Sequence, residues 1–142
     1  MSSESRLYTI SPETKTALRK FRLSTSRAKD AQAIIYEIDK SSMDIKRADD
    51  EVYTSIQELS DELPDNTPRF VLLSYPLTLA SGRLSVPYVM INYLPPTCSS
   101  EMRMLYAGAK ELMRNQSEVN RIIEIDSADD LEDIEEKLKG ED

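Results

Sequence analysis

The sequence predicts an α/β protein of the mixed α+β kind: a central sheet of mixed strand direction with helices on both faces. Three observations carry this prediction. Arg69-Phe70-Val71-Leu72-Leu73-Ser74-Tyr75 is nearly continuous apolar sequence, the pattern of a strand covered on both sides. Residues 84–93 form a second such stretch, in which Pro87 marks a bulge or a break in pairing. Residues 95–116 repeat at helical spacing instead, and Met102, Leu105, Tyr106, Ala109, Leu112 and Met113 make one apolar stripe to lay against a core.

The remaining elements follow from caps and turns. Residues 1–10 lack an amphipathic period and read as a flexible arm, with Leu7, Tyr8 and Ile10 as the side chains able to dock locally. A single domain is expected over residues 11–139. Ser11, Pro12 and Glu13 read as the N-cap and first two positions of a helix whose inner side is Thr14, Ala17, Leu18 and Phe21. Lys15, Arg19 and Arg22 line another face, either for an acidic partner or simply for water. Residues 24–30 read as a loop. Residues 31–39 and 43–48 read as two strands joined by a turn at 39–42, with Ile34, Tyr36 and Ile38 on one side of the first. Ser55 and Glu58 form a capping box for a short helix with Ile56, Leu59 and Leu63 inside, ending at Pro64.

Residues 64–68 and Ser81-Gly82 are turn sequences. Pro95 and Pro96 bar an early start to the long helix, Ser99 caps it, and Glu101 sits in its first turn near the positive end of the dipole. Gly108 in mid-helix costs about 1 kcal/mol relative to Ala, so a bend or a close packing contact is expected there. Ile122, Ile123 and Ile125 supply a last short strand. Ser127 then caps a final helix with Leu131, Ile134 and Leu138 inside.

Composition narrows the function classes. The chain has 142 residues, a formal net charge of −8 and a pI near 4.7, which argues against nucleic-acid binding by bulk charge. The charge is uneven: residues 1–30 hold seven bases and three acids, residues 118–142 three bases and eleven acids. No signal peptide or long apolar span is recognisable, so a soluble, cytoplasmic protein without membrane attachment is expected. Cys98 is the sole cysteine and there is no histidine, which removes His-based acid, base and triad chemistry and most soft-ligand metal sites. Phosphate-cradling loops and nucleophile elbows are absent too. A binding module, neither enzyme nor cofactor protein, is the reading that remains. Its candidate surface is the outer side of the long helix, where Met104 and Ala107 lie among Arg103, Lys110 and Arg114. A single exposed methionine on a helix is also ordinary, so periodicity leaves both readings open.

The core Met104-Leu105-Tyr106-Ala107, set in this order of elements, resembles the actin-depolymerizing factor/cofilin homology family. Lys20-Phe21-Arg22, Asp61-Glu62-Leu63-Pro64, Pro68-Arg69-Phe70, Ser74-Tyr75, Gly82-Arg83 and Met104 to Gly108 resemble its glia maturation factor subgroup, in register over about residues 14–139. The resemblance implies a five-stranded mixed sheet between two pairs of helices, no enzymatic activity and no cofactor. It implies a monomer that binds the actin-related protein 2/3 complex in the barbed-end groove of an actin-related subunit, inhibiting branched nucleation and promoting debranching at cortical actin. Carried onto this chain, the contacts would be Leu7 and Tyr8 of the arm, Arg19, Arg22, Glu101, Arg103, Met104, Ala107, Lys110 and Arg114. Cofilin-like members have a base where this chain has Glu101, which implies weak binding to actin itself. The alternative is a cofilin-like binder that severs or depolymerises filaments.

Overall fold

Alternation along the strands decides the layers. The computed structural model describes residues 7–26 and 29–139. In β1 (Gln32–Asp39), Ile34, Tyr36 and Ile38 enter one core while Ala33 and Ile35 enter another, and all five are buried. β3 (Arg69–Ser74) repeats the division, with Phe70 and Leu72 on the first side and Val71 and Leu73 on the second. A strand buried twice over cannot alternate apolar with polar, which is why both read as apolar runs.

β2 (Asp44–Arg47) pairs with β1, and β6 (Tyr88–Tyr93) with β3, all antiparallel. β7 (Ile122–Ile125) lies parallel to β6, giving the five-stranded mixed order β2-β1-β3-β6-β7. A parallel neighbour needs a long crossover, and α3 (Ser100–Ser117) supplies it. α1 (Pro12–Thr25) and α3 cover the face holding Ile34, Tyr36 and Phe70. α2 (Ile56–Glu62), a 3-10 turn (Ala128–Asp133) and α4 (Ile134–Lys139) cover the other through Leu59, Leu131, Ile134 and Leu138. The side chains of Ser11, Ser55, Ser99 and Ser127 accept N–H groups at the respective starts, as the sequence predicts.

Tyr106 fixes how α3 sits. It is fully buried, its ring lies 5.2 Å from that of Phe70 in a tilted pair, and its hydroxyl accepts the backbone N–H of Ile38 at 2.9 Å. Ile38 lies two residues past the last pair of β1 with β3, Tyr36 with Phe70, so the phenol supplies an acceptor where the ladder has ended.

Several boundaries differ from the sequence reading. α1 continues through Ser24 to Thr25 because both hydroxyls donate back to helical carbonyls, those of Phe21 and Arg22, and Thr25 is buried. Residues 84–93 are two strands: the ladder breaks at Val86-Pro87, leaving β5 (Leu84–Ser85) to pair with β4 (Leu77–Thr78), a strand too short for its pattern to register. Gly82, at φ 87, turns that small hairpin. Met43 belongs to the β1–β2 turn, with φ 62 and its N–H bonded to the Asp39 carbonyl at 2.7 Å. The last helix starts as a 3-10 turn. In the α3 stripe Tyr106, Ala109 and Met113 are fully buried, but Met102, Leu105 and Leu112 are only half-buried.

Met113→Ala should therefore lower stability by about 2–5 kcal/mol, and Leu105→Ala and Leu112→Ala by less than that range. Tyr106→Phe should remove about 1–3 kcal/mol by stranding the Ile38 N–H, with urea melts as the measurement. The acid dependence of stability involves Asp39. One Asp39 oxygen accepts from the Ser41 hydroxyl and from the Ser42 and Ser41 N–H groups, which hold its carboxyl below the usual range. A value depressed by folding contributes stability above the unfolded pKa and loses it as pH falls through the folded one. Asp39→Asn should flatten the stability profile below about pH 4 relative to the parent.

Candidate partner-binding surface

The rotation set by Tyr106 turns Met104 outward, 74% exposed. At about 100° per residue, Arg103, Lys110 and Arg114 lie on one flank of Met104 with Ala107 between, and Leu105 and Gly108 lie on the other. Ala107 is exposed as well, so a low apolar strip runs along the helix beside cations.

Those cations are not equivalent. Lys110 reaches Glu124 at 4.0 Å, and Glu124 in turn accepts from the side-chain amide of buried Asn92 at 3.2 Å, which draws the ammonium toward β7. Arg114 pairs with Glu111 at 3.7 Å along the helix. Arg103 is exposed and donates to the Pro95 carbonyl at 3.4 Å, bordering a groove of about 340 Å³ whose other walls include Glu124, Asp126 and Asp130. On α1, Arg19 is exposed and has no ion pair among the described residues, but Arg22 is half-buried and meets Glu118 at 3.5 Å. Glu118 occupies the left-handed position that ends α3, with φ 59, so this contact ties the ends of α1 and α3 together. Arg22 is therefore shared between surface and scaffold.

The arm corrects one expectation. Residues 1–6 lie outside the described residues, but Tyr8 is buried and faces inward, its hydroxyl donating to the Leu105 carbonyl at 2.8 Å. Thr9 is bridged to the β1–β2 turn: its N–H goes to the Met43 carbonyl at 3.0 Å and its carbonyl takes the Ile45 N–H at 2.8 Å. Leu7 alone of the predicted docking side chains stays out, 59% exposed. The close contact expected at Gly108 is with this tyrosine, since a Cβ there would stand 2.5 Å from the Tyr8 hydroxyl.

Glu101 is ion-paired with Lys40 of the β1–β2 turn, a surface residue that sequence reasoning missed. Nothing in the spacing of residues 40 and 101 could have shown it, because the contact depends on how α3 lies over the sheet.

Among the described residues no three His, Cys, Asp or Glu side chains converge as a metal site would require. Cys98 is buried. The strongest displacements of acidity are those of tyrosines raised by burial, with Tyr36 pushed up to about 12 against the pull of Arg47. No described helix is long and apolar enough to cross a membrane.

The profile of the cofilin/tropomyosin-type actin-binding protein family matches residues 7–139. The chain is 38% identical over 147 aligned positions to Protein AIM7 of Saccharomyces cerevisiae, covering 96% of this chain and 99% of that one. It is 37% identical over 125 positions to human glia maturation factor beta, covering 85% of each. The solution structure of glia maturation factor from Caenorhabditis elegans superposes with a TM-score of 0.76 at 33% identity, covering 92% of this chain and 95% of that one. A Streptomyces griseoflavus cofilin shares the fold at 16% identity, with a TM-score of 0.74 and 94% and 98% covered. With its fold and its sequence agreeing, the chain belongs to the cofilin/tropomyosin-type actin-binding family and, within it, to the glia maturation factor subgroup.

Proposed function

We propose that the chain is a non-enzymatic regulator of branched actin that binds the actin-related protein 2/3 complex, inhibits nucleation and promotes debranching in the cytoplasm. The observation that carries this reading is the outward Met104 beside Arg103, Lys110 and Arg114, on a helix anchored in the core through Tyr106, Ala109 and Met113. An isolated methionine needs no explanation, but this one lies at the centre of a ridge carried by a member of the glia maturation factor subgroup. In this reading the ridge enters the barbed-end groove of an actin-related subunit, with apolar contact in the middle and the cations at the side. Arg19 adds an uncommitted cation from α1. Leu7, Ala107 and Glu101 complete the contact set, while Tyr8 and Arg22 support it from within.

Filament severing is the competing activity, and it calls for a second cationic surface. Here α4 balances Glu135 and Glu136 with Lys137 and Lys139, and the 3-10 turn leading into it adds Asp129, Asp130, Glu132 and Asp133, so this end of the chain is acidic. Weak binding to actin itself is therefore part of the proposal. In co-sedimentation with pure filaments, most of the protein should stay in the supernatant, whereas pull-down by the purified complex should retain it.

Met104→Asp with Lys110→Ala is the sharpest mutational test of the ridge. Its thermal melt should stay near that of the parent, because the Met104 side chain stands largely in solvent and the Lys110 pair is long and partly solvated. Binding to the complex should weaken and lose part of its salt dependence, since a carboxylate replaces an apolar contact and one cation is gone. A double variant that melts like the parent and inhibits branching equally well would show that this helix is not the binding element. Arg19→Ala should likewise leave the melt unchanged while reducing the rate of association, the parameter that a rim charge governs.

A further inference from the structure

The arm meets α3 through an unusual fit. A buried phenol needs a partner, and Tyr8 takes the carbonyl of Leu105 at 2.8 Å. It can reach that carbonyl only because Gly108, three residues on, has no side chain: a Cβ there would lie 2.5 Å from the hydroxyl oxygen, although 3.5 Å from Cζ and 3.8 Å from Cε2. The misfit would therefore involve the oxygen alone, with the ring carbons at ordinary contact distance. On the other side Thr9 is clamped to the β1–β2 turn by two backbone hydrogen bonds and by its hydroxyl to Asp44 at 3.0 Å.

Met104 and Gly108 are one helical turn apart on the same flank. Leu7, the residue before the ring seated on Gly108, is exposed, and so is Met104. We propose that Tyr8 is a positioning residue for partner binding: lodged in the notch at Gly108, it holds the arm so that Leu7 extends the apolar ridge of α3. The inference rests on the outer face of α3 being the binding surface and adds how the arm joins it. It also gives a reason for a glycine in the middle of a helix that is otherwise built of better helix formers.

The geometry allows a size-exchange test. Gly108→Ala should expel the phenol, speed amide exchange at Thr9 and Ile45, and weaken binding to the purified actin-related protein 2/3 complex by about tenfold, the scale on which one anchoring side chain acts. The melt should fall, because the phenol leaves a buried, hydrogen-bonded site and the better helix propensity of alanine offsets only part of that loss. Tyr8→Phe alone should have a small effect, since the ring still fills the site. Tyr8→Phe combined with Gly108→Ala removes the oxygen that clashes and leaves the ring carbon at 3.5 Å, so exchange protection and affinity should both return toward those of the parent. This rescue is the decisive result, as a merely structural role for Gly108 would not produce it. Gly108→Ala with fast exchange at Thr9 and Ile45 but parental affinity would overturn the inference. So would a loss of affinity that Tyr8→Phe does not repair. A parent chain that fails to bind the complex at all would instead overturn the reading of function, and Met104→Asp with Lys110→Ala, measured alongside, reports on the ridge independently of the arm.

Discussion

The candidate surface depends on the angle at which α3 lies on the sheet, and Tyr106 holds that angle. Its ring is held against Phe70 and its hydroxyl takes the Ile38 N–H, so the helix is pinned at a central point by one apolar and one polar contact. Apolar burial alone would tolerate rotation, because Met102, Leu105 and Leu112 on the stripe's margin are half-buried and could exchange places with little change in area. A hydrogen bond to a fixed strand N–H does not tolerate it. Rotating α3 by even part of a residue's step would strand that N–H and swing Met104 and the cations toward the sheet or away from the arm.

The surface thus positioned is a cationic ridge on an acidic chain. Net charge −8 would suggest repulsion from an acidic partner at long range, but charges more than about 10 Å apart are largely screened at physiological salt. What a docking partner meets is local. There, Glu124 and Glu111 temper Lys110 and Arg114, and Glu118 tempers Arg22. These acids keep the cations oriented in the free protein, and because the pairs are weak and partly solvated, separating them costs little. Such a surface gains specificity and encounter rate more than raw affinity.

How much of this was legible in the sequence depends on whether a feature is local. The double burial of β3, the α3 stripe and the serine caps are set by near neighbours, and they could be read directly because periodicity and capping act within a turn or a strand. The exposed Met104 was legible for the same reason. Pairing at a distance was not. Ser24 and Thr25 look like loop residues until Thr25 is seen buried with its hydroxyl turned back on the helix. Tyr8 and Gly108 each carry a local oddity, an aromatic in an arm and a glycine in a helix, but only the fold joins them across 97 residues of separation between the hydroxyl and its acceptor. Arg22 with Glu118 and Lys40 with Glu101 are of the same kind.

Glu101 shows what this non-local information changes. Taken from the sequence and its resemblance to cofilin-like members, Glu101 implies a negative charge at the start of α3, facing outward. In the folded chain Lys40 reaches that carboxylate from the β1–β2 turn, with both side chains at least 60% exposed, so the start of α3 presents a neutral pair. The cation that the helix lacks is present in space but carried by another element. Discrimination by simple charge sign at this point is therefore weaker than the sequence implies. It becomes a matter of placement: a partner whose groove offers an acceptor over the turn can separate Lys40 from Glu101 and use it, whereas one whose acceptor lies over the helix meets the carboxylate first. Specificity of this sort arises from a repulsive group held beside an attractive one, which rewards one register of docking and penalises its neighbour.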